Sequence, residues 1–147
     1  MKMLGKFWRL RMINATGQIM DFDAGAEIAI RLMPWKITSG EYEYRSTVIT
    51  EDLQFSTSET IAIDGEVESL VIDNSSDLYF GVAGTFEVTH DDADASGDCK
   101  LYLEWSDTNG NWPSDANDFV ITDLILLVTL PIANTGTVKS RSVNFEI

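Results

Sequence analysis

The residues of this chain best placed for chemistry are oxygen donors. Asp92, Asp94, Ser96 and Asp98 alternate through one loop, with Gly97 among them. Hard oxygen ligands at alternate positions are what Ca²⁺ requires. The pattern then breaks. The position for a closing bidentate glutamate holds Leu103, and Glu104 comes one residue late, on the outward side of a strand. A solvated loop is the default expectation, with those four residues a weak calcium set. No cofactor is expected.

The other reactive types are sparse. His90 is the one histidine, and it ends an apolar strand face beside the acidic loop. A catalytic triad needs a histidine between a nucleophile and an orienting acid. There is no Gly-x-Ser-x-Gly elbow, no Cys/His cluster for zinc and no glycine-rich phosphate loop. Cys99 stands alone, which rules out an internal disulfide, and it reads as a small buried hydrophobe. Residues 51–147 hold nineteen acids, so no carboxylate pair stands out for glycoside hydrolysis. The expectation is a protein that is not an enzyme.

Trp112 offers a different chemistry. It lies in Asp107-Thr-Asn-Gly-Asn-Trp-Pro-Ser-Asp115, among amides and carboxylates. A ring for stacking with Asn109 and Asn111 beside it could contact a glycan. The same ring could instead anchor its loop by burial at a contact.

The charge is lopsided. Net charge is −14, and between Arg45 and Lys100 stand thirteen acids and no Lys or Arg. A field of that sign disfavours nucleic acid and anionic lipid as partners. The first eleven residues instead carry Lys2, Lys6, Arg9 and Arg11, with no acid before Asp21. A basic end on an acidic body is self-complementary, and Phe7, Trp8, Arg9, Leu10 and Arg11 suggest a docking strand or arm. The amino terminus has no apolar stretch of signal-peptide kind. The longest apolar run, Leu124 to Val128, is far short of the ~20 residues of a membrane helix.

The elements that must carry these residues read as strands. Phe7 to Ile13 is followed by the turn Asn14-Ala-Thr-Gly17, and Gln18 to Phe22 is expected to return as a hairpin. Ala26 to Met33 stops at Pro34. Phe80, Val82, Phe86, Val88 and His90 share one face. Beyond the acidic loop Cys99, Leu101, Leu103 and Trp105 do the same, which predicts a hairpin with one face buried. Val120 to Leu130 is apolar on both sides: Leu124, Leu126, Val128 and Leu130 on one, Ile121, Ile125 and Leu127 on the other. A second apolar side is covered in a core or by another subunit, so Ile121, Ile125 and Leu127 are candidates for a subunit contact. Val143, Phe145 and Ile147 alternate at the end. Some eight to ten strands at this spacing in 147 residues predict one all-β domain, an antiparallel, jelly-roll-like β-sandwich.

Several stretches have a familiar cast: Val71-Ile-Asp-Asn-Ser-Ser-Asp-Leu-Tyr-Phe80, Trp105-Ser-Asp-Thr-Asn-Gly110, Asp118 to Ile132, and Lys139-Ser-Arg-Ser-Val143. This half of the chain resembles small β-sandwich structural proteins of tailed bacteriophage virions, of the decoration, cement or tail-adaptor kind. The resemblance implies a non-enzymatic virion component, made in the host cytoplasm, that forms a homo-oligomer (a trimer first) and docks on other virion proteins. It implies no catalytic residue. The alternative is a carbohydrate-binding or host-recognition module.

Overall fold

The computed structural model describes residues 4–21, 27–45, 60–90, 94–116, 124–132 and 139–147, with the backbone alone for 139–142 and 145. These residues form eleven strands in order: β1 Phe7–Ala15, β2 Met20–Asp21, β3 Glu27–Thr38, β4 Glu41–Tyr44, β5 Thr60–Ile61, β6 Glu66–Glu68, β7 Ile72–Asp73, β8 Gly81–His90, β9 Gly97–Ser106, β10 Ile125–Ile132 and β11 Lys139–Glu146. Among the described residues the one helical element is a 3-10 turn, Pro113–Asp115. All pairings are antiparallel. Sheet one has the order β10-β9-β1-β6, with β7 also on β1, and sheet two the order β11-β8-β3-β4. The all-β antiparallel sandwich expected from the alternation is therefore present.

Period-two patterning sets the core. Trp8, Leu10 and Met12 of β1 sit opposite Trp105, Leu103 and Leu101 of β9. Across the interior, Ile30 and Leu32 of β3 join Val82, Phe86 and Val88 of β8. Trp8, Leu10 and Met12 are at most 1% exposed, and each contributes roughly 1.5–3 kcal/mol of apolar burial. Cys99 is buried in the same cluster.

The connectivity differs from the sequence expectation in three places. The strands flanking the acidic loop do not form a hairpin: β8 belongs to sheet two, and β9 pairs with β1 and β10 in sheet one. Their apolar faces meet across the core, a geometry that period two alone cannot distinguish from side-by-side pairing. The turn after β1 does not fold back either, because β2 pairs with β5. The Asn14 amide decides this by donating to the carbonyls of Gln18, Ile61 and Ala62 at 2.8, 3.3 and 3.1 Å. Finally, β3 runs through Pro34. The Pro34 carbonyl accepts from the Arg45 amide just past the end of β4. The proline nitrogen points to that same side, so the ladder to β8 loses no bond.

Gly97 is required by both backbone conformation and space. It opens β9 at φ +96, and a Cβ there would lie 2.4 Å from the Ala15 carbonyl oxygen.

Burial, and secondarily the Asp98 charge, pushes the Cys99 thiol up to about 12. Since the thiolate is the reactive form, Cys99 should resist a disulfide reagent such as DTNB in native protein at pH 8. It should react at the rate of a free peptide thiol once the chain is unfolded in guanidinium.

Candidate functional site

Among the described residues, the outward face of β1 carries a dense cluster of charged side chains. Alternation sends Arg9 and Arg11 to the side opposite Trp8 and Leu10. Across the ladder, Arg9 meets Glu104 and Arg11 meets Glu68. Arg9 Nε pairs with Glu104 Oε1, and its other nitrogens reach Glu68 and, at 3.0 Å, the Ser114 hydroxyl. Arg11 pairs with Glu66 and Glu68, donates to Ser114 Oγ at 2.8 Å and reaches Glu104 at 3.5 Å. Burial alone would lower the Arg11 pKa, but the Glu66 bond and the charges of Glu66, Glu68 and Glu104 outweigh it and hold it above its ordinary value.

This cluster is interior. The side chains of Arg9, Arg11 and Glu104 are 10%, 5% and 0% exposed. The cover is the loop after β9. The Arg9 guanidinium lies 4.5 Å from the Trp112 ring centre, the Ser114 amide donates to Glu104 at 3.4 Å, and Trp112 is buried. A cation on an indole face is held by the ring quadrupole, more strongly once desolvated.

Two expectations change as a result. Phe7, Trp8, Arg9, Leu10 and Arg11 are not a docking arm. They are the middle of sheet one, hydrogen-bonded on both sides and saturated with partners from the same chain. Nor is Trp112 a stacking platform for a glycan, since its ring already stacks on Arg9. Its neighbours Asn109 and Asn111 are exposed, and the Asn111 amide is held by the Thr108 hydroxyl at 3.0 Å.

The subunit-contact candidates also move. Ile121 lies outside the described residues. The register of β10 shifts between Leu126 and Val128, which reverses the alternation. Ile125 therefore shares the inward side with Val128 and Leu130, opposite Leu103, Leu101 and Cys99. Ile125 and Leu127 pack partly buried against the chain's own core, and Leu126 is the residue left outside, at 50% exposure. A bulge leaves no compositional mark in an all-apolar run.

Of the oxygen-donor loop, Asp92 lies outside the described residues. Asp94 and Ser96 are exposed, and Ala95 between them is buried. Asp98 sits within β9 opposite Ala15 and Pro131. Among the described residues no group of three or more His, Cys, Asp or Glu side chains is arranged to hold a metal ion. His90 is buried, with Nε2 3.3 Å from the Thr16 hydroxyl. Thr16 also donates to Asn14 Oδ1 at 2.6 Å. These side chains form a polar plug at one end of the core.

The opposite end presents a surface that the sequence did not flag as a site. Asp73-Asn-Ser-Ser-Asp-Leu78 forms a tight turn. Asp73 accepts the Ser75 amide at 2.8 Å, and the Ser75 hydroxyl and amide hold its carboxyl below the usual carboxylate range. Buried Asn74 clamps the turn, donating to the Tyr79 and Gly5 carbonyls and accepting the Tyr79 amide. The clamp forces Leu78 to φ +54, and Leu78 is 63% exposed. Leu78 lines a groove of about 340 Å³ with Leu4, Lys6, Tyr79 and Phe80. Trp105, 42% exposed, lies against Gly5, one of the residues that line this groove.

Among the described residues no helix is long and apolar enough to cross a membrane. No protein-family model, curated protein or solved structure matches the chain.

Removing Glu104 should separate buried from exposed electrostatics. Glu104→Ala removes the one fully buried carboxylate of the cluster and leaves Arg9 and Arg11 only half-exposed acidic partners, so it should lower unfolding free energy by about 3 kcal/mol. Glu66, nearly half exposed, is screened by solvent, so Glu66→Gln should cost less than about 1 kcal/mol. Urea titrations of the two variants check the contrast.

Proposed function

We propose that this chain is a non-enzymatic structural component of a tailed-phage virion, a capsid decoration or tail protein. It works by forming a homo-oligomer and docking on other virion proteins. The observation that carries the reading is Leu78. An exposed leucine in left-handed backbone gains nothing from its position within its own chain. Such a conformation costs of order 1–3 kcal/mol and persists when the surroundings impose it, commonly at functional positions. Here a buried asparagine imposes it, and the result is an apolar side chain displayed in a groove with Leu4, Tyr79 and Phe80. The same turn lies within the Val71–Phe80 stretch that resembles virion proteins.

The mechanism is burial. Filling the groove and covering Leu78 and Trp105 removes apolar area from water at roughly 25 cal/mol per Å². Lys6 at the groove edge gives a cation for an acidic neighbour. Because the amino-terminal cations Arg9 and Arg11 are already neutralised internally, long-range charge matching plays the smaller part.

Light scattering of the full-length protein should find a discrete homo-oligomer, trimer first, of the 16.4 kDa chain. Leu78→Asn suits the test because asparagine tolerates left-handed backbone. The variant should melt at the wild-type temperature or slightly above it, yet lose the oligomer. A stable Leu78→Asn protein with the wild-type mass would overturn the reading.

A further inference from the structure

The outward face of sheet two is unlike the rest of the surface. Three rows of side chains cross it, about 6.8 Å apart along the strands. The first row is Arg31, Thr85 and Asn144, the second Met33, Ala83 and Glu146, and the third Tyr44, Trp35 and Gly81. The first two rows line a groove of about 570 Å³. The third row is its aromatic end. Trp35 lies flat over Gly81, where a Cβ would meet its ring at 2.5 Å, and its indole N–H donates to the Ile147 carbonyl at 3.0 Å. Tyr42 extends this end, tilted on Trp35 at 5.2 Å and stacked with Tyr44 at 6.5 Å between ring centres. Tyr42 and Tyr44 are 60% and 42% exposed.

The polar groups are held in place. Asn144 Oδ1 accepts from the Thr85 hydroxyl at 2.8 Å, which leaves its NH₂ to donate outward. The Tyr44 hydroxyl donates to Glu146 at 3.4 Å, tying the aromatic end to the polar wall. We propose that this groove binds a neutral saccharide, with a pyranose ring on Tyr42 and Tyr44 and vicinal hydroxyls chelated by Arg31, Asn144 and Glu146.

The chemistry favours that occupant. Arginine, asparagine and glutamate are planar groups with paired donors or acceptors, and together they match hydroxyls that both donate and accept. Exposed tyrosines offer rigid faces for the apolar side of a sugar ring, with a polar tip. The volume is in the range of small-molecule sites. A second copy of this chain fits poorly. Packed face to face, it would set Glu146 against its own counterpart, beside a strand whose Glu41 and Glu43 are exposed. Like charges so placed repel. The site is separate from the Leu78 groove, so each can fail without the other.

The test is calorimetric titration of full-length protein with cellohexaose, maltohexaose, chitohexaose and mannohexaose. At least one should bind with a Kd below about 1 mM, equivalent to about −4.1 kcal/mol. Tyr42→Ala and Asn144→Ala, both at exposed positions, should each weaken that binding at least about tenfold without changing the melting temperature. Leu78→Asn should leave it unchanged. Binding of none of the four overturns the proposal, as does binding that survives Tyr42→Ala. If Tyr42→Ala instead changes only the solution mass, the face is a subunit contact and the proposal fails.

Discussion

Strand β1 is buried on both faces, and the fold is arranged around that fact. Its inward residues, Trp8, Leu10 and Met12, are core. Its outward residues, Arg9 and Arg11, would be unsustainable as buried charges without Glu104, Glu66 and Glu68. Two guanidinium groups against four carboxylates, counting Asp115 at 4.0 Å from Arg9, leave the cluster acidic, and Ser114 and the Trp112 ring complete the coordination. This network explains why the loop after β9 folds down over sheet one, and why β6 lies beside β1 with glutamates at alternate positions. A buried ion pair is weak evidence for net stability, but removing one partner is costly. The network therefore acts chiefly to specify the sheet order β9-β1-β6.

That network also relocates the meaning of the charge asymmetry. A basic amino-terminal segment on an acidic chain looks like two surfaces that attract across molecules. The attraction is within one molecule. Counting Arg9 and Arg11 as available cations overstates what the surface can offer to a partner.

Most strand residues were legible from alternation, because period two maps directly onto core and solvent faces. The inward side of β8 (Val82, Phe86, Val88, His90) and of β9 (Cys99, Leu101, Leu103) could be named from sequence. Partner choice was not legible. Alternation marks a buried face but not which strand lies beside it, so β8 and β9 read as a hairpin when they oppose each other across the core. Pro34 looked like a terminator because its tolerance depends on where β4 ends, a non-local fact. The bulge after Leu126 sits in an apolar run that no pattern resolves. The Arg9–Glu104 pair, 95 residues apart, had no local signal: Glu104 shares its face of β9 with Lys100 and so reads as an ordinary outward charge. Leu78 had none either, since nothing in its own residue type announces left-handed backbone.

Among the described residues two surfaces stand out: the Leu78 groove at one end and the aromatic groove on sheet two. The Leu78 groove depends on β1 being an interior strand, since Asn74 is tied to the Gly5 and Lys6 carbonyls that lead into it. Residue-resolved hydrogen exchange tests that claim most directly. The account predicts that the β1 amides from Trp8 to Met12 exchange among the slowest in the protein, near the global unfolding limit, while the edge strand carrying Tyr42 and Tyr44 exchanges orders of magnitude faster. Exchange of the β1 amides at the rate of that edge strand would contradict it and return the segment to the role of a detachable arm.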